Sequence, residues 1–291
     1  MNPTYITAAD LFGTWLDELE RGEPPIKYAV PAPFETLDLR PGRLVLIGGP
    51  PGCGKTALVL QVLVELLRWN PNAKAMLANV EMSPVVLLER IVARLANVPL
   101  SAIMDRTLTL DEQRRIQAAR GLLDPIAARL AFLHAPYTLE HVAAAGTAFD
   151  ADVIVIDYLQ RFVISDNQRE QLETASSILR RFCDMGACVM CISAVARQKA
   201  KNGSTYKGLS LASFRGSSEC EYTADLAYLL VSHKGQVTLQ AVKHRFGVPT
   251  DIALQFDGTT QTFKPAPGGL GAFDTTEPAD EWQPQSRRGS F

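Results

Sequence analysis

Downstream of Arg43 the chain alternates between two rhythms of apolar residues. Short, nearly continuous apolar runs at 43–48, 74–80, 130–134, 152–157 and 187–193 predict buried strands. Between them, at 55–69, 84–97, 111–129, 138–149 and 168–185, apolar residues recur every three or four positions, the period of a helix packed on one face. Strands that are apolar throughout must be covered on both sides, so the pattern predicts an α/β fold with a mostly parallel central sheet flanked by helices. The rhythm then changes: 226–231, 236–243 and 251–256 read as short strands joined by turns, predicting antiparallel strands at the C-terminal end.

Both ends differ from this middle. Leu11, Trp15 and Leu19 share one helical face over 6–21, and Pro24, Pro25, Pro31 and Pro33 follow where that helix cannot continue. So short a helix does not bury its own apolar stripe and must fold back or dock on a neighbour. Beyond Lys264 the chain turns to Pro, Gly, Ser and acidic residues. The expected organisation is therefore a helix and Pro-rich connection at 1–27, one domain over 28–264, and a disordered tail at 265–291.

At 291 residues the chain can bury a large core, and 47% apolar with 21% charged residues is ordinary for a globular protein. A net charge of −2 excludes a global basic field, so any nucleic-acid contact must come from local loops. The start at Met1-Asn2-Pro3-Thr4 carries no basic segment followed by an apolar core, and no apolar run reaches membrane-spanning length. Of the five cysteines, Cys188 and Cys191 spell C-x-x-C, but inside a strand that spacing directs them to opposite faces. Reduced core cysteines and a cytoplasmic location are expected.

The chemistry enters at Gly49-Pro50-Pro51-Gly52-Cys53-Gly54-Lys55-Thr56, a complete G-x-x-x-x-G-K-[ST] phosphate loop. It follows the apolar run Leu44–Ile47 and opens onto the helix predicted at 55–69, which is the context the motif requires. Its glycines let the backbone wrap a polyphosphate, with helix N-terminal amides pointing at the anion. Lys55 would reach the terminal phosphates of ATP, and the Thr56 hydroxyl would ligate Mg²⁺. Asp157 ends the apolar strand Val153-Ile154-Val155-Ile156; beside a phosphate loop it would hold Mg²⁺, and otherwise it would be a strand-end cap. Glu81, at the end of another strand, is either a general base for the attacking water or a first-turn carboxylate of the helix starting at Ser83-Pro84.

Taken in order, Pro51-Gly52-Cys53-Gly54-Lys55-Thr56-Ala57-Leu58, Val80-Glu81-Met82-Ser83 and Val155-Ile156-Asp157-Tyr158-Leu159-Gln160 resemble the ATPase domain of DnaB-type replicative helicases, a branch of the RecA-like P-loop NTPases. Phe214–Asp225 is similar to the family's Arg-x-Ser-x-x-Ile-Glu-x-Ala-Asp stretch, and Val242-Lys243-His244-Arg245-Phe246-Gly247 to its Lys-x-Arg-x-Gly segment. The likeness spans roughly 28 to 264. It implies that Glu81 matches the catalytic glutamate and Asp157 the Mg²⁺-associated aspartate. Lys243 and Arg245 match basic residues that reach the γ-phosphate held by the next subunit, although an exposed face of an alternating strand would look the same. A site shared in this way implies a homo-hexameric ring acting on single-stranded DNA, with a primase or loader as a possible partner.

The resemblance also marks two DNA-facing loops. One lies at 161–171 and contains Arg161 and Arg169; the other runs from Arg197 to Gly208 and contains Lys199, Lys201 and Lys207 with no acid. In a ring such loops would line a positive channel, while alone a basic loop is simply solvated. Two departures stand out. Where the family strand ends in Ser-Gln, this one reads Ser193-Ala194, so the glutamine that relays the γ-phosphate to the DNA loops is an alanine. The family's globular N-terminal domain has no counterpart either, only the helix at 6–21 in the position of the linker helix. The expectation is an ATP-driven helicase; the alternative is a non-motor ATP switch of the RecA, RadB or KaiC type.

Overall fold

The computed structural model describes residues 5–162, 168–195, 198–200, 203–205, 209–214, 222–233 and 236–267. The strands are β1 (Leu44–Gly49), β2 (Ala75–Asn79), β3 (Leu130–Phe132), β4 (Val153–Asp157) and β5 (Cys188–Ala194), followed by β6 (Gln198–Ala200), β7 (Gly203–Thr205), β8 (Leu226–His233), β9 (Gln236–His244), β10 (Ile252–Asp257) and β11 (Thr262–Pro265). The helices are α1 (Ala8–Arg21), α2 (Lys55–Trp69), α3 (Pro84–Ala96), α4 (Leu100–Met104), α5 (Leu110–Ala127), α6 (Leu139–Phe149) and α7 (Gln168–Asp184). Nine strands form one sheet in the order β11-β10-β9-β8-β1-β5-β4-β2-β3. From β8 to β3 neighbours run parallel, and from β8 to β11 they run antiparallel. The mostly parallel sheet with an antiparallel C-terminal extension is thus the predicted architecture.

Because a strand's side chains alternate between faces, each central strand feeds two cores. Val45, Ile47, Val153, Val155, Met190 and Ile192 face the layer of α2 and α3, where Leu58, Leu63, Leu87 and Ile91 are buried. Leu44, Leu46, Ile154, Ile156, Val189 and Cys191 face the layer of α6 and α7, where Val142, Leu179 and Phe182 are buried. Cys188 and Cys191 fall in opposite cores, as their spacing predicts, and both are free thiols.

The departures from expectation are local. The short helix α4 lacks the length for a legible period, and β11 has one buried apolar residue, Phe263, stacked on Phe256 with centroids 4.4 Å apart. The pair β6–β7 forms an antiparallel hairpin inside the stretch expected to be a basic loop. Upstream, Tyr28, Val30, Phe34, Leu37 and Leu39 bury themselves in the first core despite the prolines around them. Helix α1 does the opposite: a Thr7–Asp10 capping box starts it, Gly22 ends it at φ 66°, and none of its residues is buried. No helix among the described residues is long and apolar enough to cross a membrane.

Candidate nucleotide site

Parallel strands bring the loops that follow them to one edge, and the register here is tight. Gly49 pairs with Ala194, and Asn79 with Asp157, so the ends of β1, β5, β2 and β4 converge on one cleft of about 520 Å³. That volume suits a nucleotide. The phosphate loop forms one wall. Glycine is required at Gly49, where a Cβ would lie 2.6 Å from the Leu230 carbonyl, and at Gly54, where φ is 94° and a Cβ would press on Phe263 and Phe256. Gly54 caps α2 without any side-chain hydrogen bond, leaving the first-turn amides available to an anion. Lys55 Nζ bridges the Gly49 and Pro50 carbonyls at 2.8 Å each, which holds the ammonium over the loop.

Asp157 is almost fully buried, and its Oδ2 accepts from Thr56 Oγ1 at 2.6 Å and from Asn79 Nδ2 at 2.7 Å. Burial raises its pKa, as does the nearby Glu81 charge; the Thr56 and Asn79 bonds and the Lys55 charge oppose the rise. A hydroxyl and a carboxylate so joined are oxygen donors of the kind Mg²⁺ takes. Asn79 Oδ1 also accepts from the backbone N–H groups of Glu81 and Met82, so one amide ties the Glu81 turn to Asp157. Glu81 itself is exposed and lines the cleft.

Sequence reasoning missed four contributors. Asn79 ends an apolar strand and gave no motif signal. Arg90 of α3 lines the cleft; its Nη1 donates to Gln261 Oε1, and its Nε is buried without a partner among the described residues. As a cleft-lining guanidinium, Arg90 adds a positive charge to the wall of the site. Gln261 arrives from the β10–β11 turn, from the far end of the chain. Gln160 is the fourth: its Oε1 accepts from the Ala194 N–H at 3.1 Å and its Nε2 donates to Ser193 Oγ at 2.8 Å. Its amide therefore sits against the backbone at Ala194.

Lys243 and Arg245 do not join this cleft. Leu226 of β8 pairs with Val45, and Lys243 pairs with Ala227, so the two cations flank the start of β8, while the phosphate loop follows the other end of β1. At about 3.3 Å per strand residue the separation is roughly 15 Å. Arg245 is paired with Asp225 at 2.9 Å, and Lys243 Nζ donates to the Tyr222 carbonyl at 3.1 Å. Arg161 is exposed at the end of a 3-10 turn that follows β4. Arg169 lies in the first turn of α7 and Lys199 in β6, while Arg197, Lys201 and Lys207 lie outside the described residues.

The family profile described as the DnaB-like helicase C terminal domain matches residues 32–265. Among solved structures, one described as an ATPase domain superposes with a TM-score of 0.76 at 20% identity, over 89% of this chain and 99% of that one. A DnaB-like replicative helicase, described with its interactions with primase, gives 0.74 at 19% identity, over 89% of this chain and 67% of that one. At such identities the two structures establish the fold. No curated protein matches the chain.

Proposed function

The chain belongs to the DnaB-like helicase C-terminal domain family, whose members are ATP-hydrolysing DNA helicases, and on that premise we propose that it is a ring-forming motor on single-stranded DNA that hydrolyses ATP at the seams between subunits. The observation that carries this reading is the roughly 15 Å separation of the two halves of the ATP machinery on one sheet. One subunit supplies phosphate loop, Asp157 and Glu81; the Lys243–Arg245 pair lies outside that cleft, beside the start of β8, which supports a role at a neighbour's site.

Within such a seam each residue has a definite task. The amides of 49–56 and Lys55 would bind the β- and γ-phosphates, and Arg90 would add a third positive contact from α3. Thr56 and Asp157 would hold Mg²⁺, which offsets charge on the phosphate oxygens. Glu81, braced through Asn79, would orient the attacking water and accept its proton. Arg245 and Lys243 of the next subunit would stabilise charge developing on the transferred phosphoryl group. The unburied apolar stripe of α1, with Leu11, Phe12, Trp15 and Leu19 all more than half exposed, would dock on that same neighbour. The segments after β4 and β5, carrying Arg161, Arg169, Arg197, Lys199, Lys201 and Lys207, would track the DNA backbone, giving salt-sensitive and sequence-tolerant binding. A primase or loader partner rests on the family likeness alone.

Ala194 favours a second reading, a non-motor ATP switch, because a methyl group cannot relay a phosphate contact to the DNA segments. Steady-state ATPase with and without single-stranded DNA separates the two, with Lys55→Ala as the blank. The motor reading expects stimulation of about tenfold or more; a slow rate indifferent to DNA overturns it and leaves the switch.

A further inference from the structure

The motif at 214–225 ends in a buried carboxylate that three groups from three different segments engage. Asp225 is 1% exposed and opens β8 beside the start of β1. Its Oδ2 accepts from the Leu44 N–H at 3.0 Å and from Arg180 Nη1 at 2.8 Å, and its Oδ1 accepts from Arg245 Nη1 at 2.9 Å. Its backbone is used too: the Asp225 carbonyl accepts from the Arg245 N–H, and its own N–H donates to the Leu44 carbonyl, each at 2.9 Å. Arg245 Nη2 and Lys243 Nζ then share the Tyr222 carbonyl, at 3.0 and 3.1 Å.

A buried carboxylate needs one counter-charge, and Arg180 already provides it. Arg180 is further anchored by the Gly42 carbonyl and Asp184, which holds it on the α7 side of Asp225. The second cation, Arg245, is of another kind: its side chain is 46% exposed, and two of its N–H groups are taken by Asp225 and Tyr222. An exposed arginine would ordinarily sample many rotamers, and here backbone and guanidinium are both held by one residue. We propose that Asp225 is a positioning residue for Arg245, fixing its guanidinium so that the remaining N–H groups face the γ-phosphate of the neighbouring subunit; this rests on the shared-site reading above. Orientation paid for in advance lowers the barrier of the step it serves. In Asp225→Asn the amide must turn its NH₂ either toward Arg245 or toward Leu44 and Arg180, and donor then meets donor on that side.

The variant is expected to lower kcat about tenfold or more, with the affinity of its own cleft for a fluorescent ATP analogue unchanged. The deciding experiment mixes Asp225→Asn with Lys55→Ala and lets the subunits reassemble. Lys55→Ala carries a disabled cleft but an intact Asp225–Arg245 pair, so at mixed seams it completes the cleft of Asp225→Asn. Activity above either variant alone, greatest near equal proportions, is the expected result, and a merely structural role would not produce it. Arg245→Ala mixed with Lys55→Ala is the control. Recovery in the control without recovery for Asp225→Asn overturns the positioning role. No recovery in the control overturns the shared site itself, and the Asp225 role with it. Should Asp225→Asn not fold, Asp225→Asn/Arg180→Met removes the arginine left without a counter-charge and is read by the same mixing test.

Discussion

Thr56 Oγ1 donates to Asp157 Oδ2 at 2.6 Å, joining two residues 101 positions apart across the C-terminal edge of the sheet. The bond shows what the fold does for chemistry here: it places a hydroxyl from the phosphate loop and a carboxylate from β4 where one divalent ion can meet both. It does so at a cost, since burial and the Glu81 charge raise the Asp157 pKa.

That cost gives the first prediction. A carboxyl whose folded pKa is raised holds its proton more tightly folded than unfolded, so its contribution to stability declines as pH rises from the unfolded value of 3.8 through the raised one. At neutral pH the ionised, buried Asp157 destabilises the ligand-free protein. Asp157→Asn should therefore raise the melting temperature at pH 7 by roughly 2–4 °C per kcal/mol relieved, while Mg²⁺-dependent ATP turnover disappears. Calorimetry with and without ATP and Mg²⁺ checks both halves, and the stabilisation should vanish in acid, where the wild-type carboxyl is neutral.

Arg90 is the cation of the cleft that no motif announced. Arg90→Ala removes a cleft-lining guanidinium. Affinity for ATP should fall about tenfold to a hundredfold, the worth of a charge-assisted hydrogen bond, measured by titration of a fluorescent analogue. Gln261→Ala removes its Nη1 partner and should weaken binding less.

Gln160 ties the 3-10 turn carrying Arg161 to the tip of β5, which pairs with Gly49 of the phosphate loop. Gln160→Ala should leave basal ATPase within about twofold and abolish its stimulation by single-stranded DNA. Equal loss of both rates would show that the amide supports the cleft and does not link it to the DNA-facing segment.

Two apolar residues should behave oppositely. Leu63 lies in the middle of α2 and is fully buried, so Leu63→Ala should cost about 2–5 kcal/mol in denaturant unfolding. Trp15 on α1 is 53% exposed, and Trp15→Ala should leave the unfolding midpoint of the isolated subunit unchanged while shifting assembly, followed by sedimentation, to higher concentration.

The reach of sequence reasoning followed the range of the interactions. Helix α2 occupies the predicted span, 55–69, because its start is dictated by the glycine of the phosphate loop and its length by a local period. The five central strands were legible because parallel strands buried on both faces are apolar throughout. Hairpin β6–β7 was not, since three-residue polar strands carry no period. Asn79 and Gln160 bond across neighbouring strand ends, and nothing near either in sequence marks its partner.

By itself, then, the sequence determined the layers of the fold, the phosphate loop and the residue types its chemistry needs, because helices, strands and helix N-termini are set by residues a few positions apart. Only the tertiary structure decided that Asp225 meets Leu44 at a separation of 181 residues, that Arg90 enters the cleft, and that Lys243 and Arg245 leave it. Those outcomes depend on strand order and register, which arise from burying two cores at once and so are properties of the whole sheet.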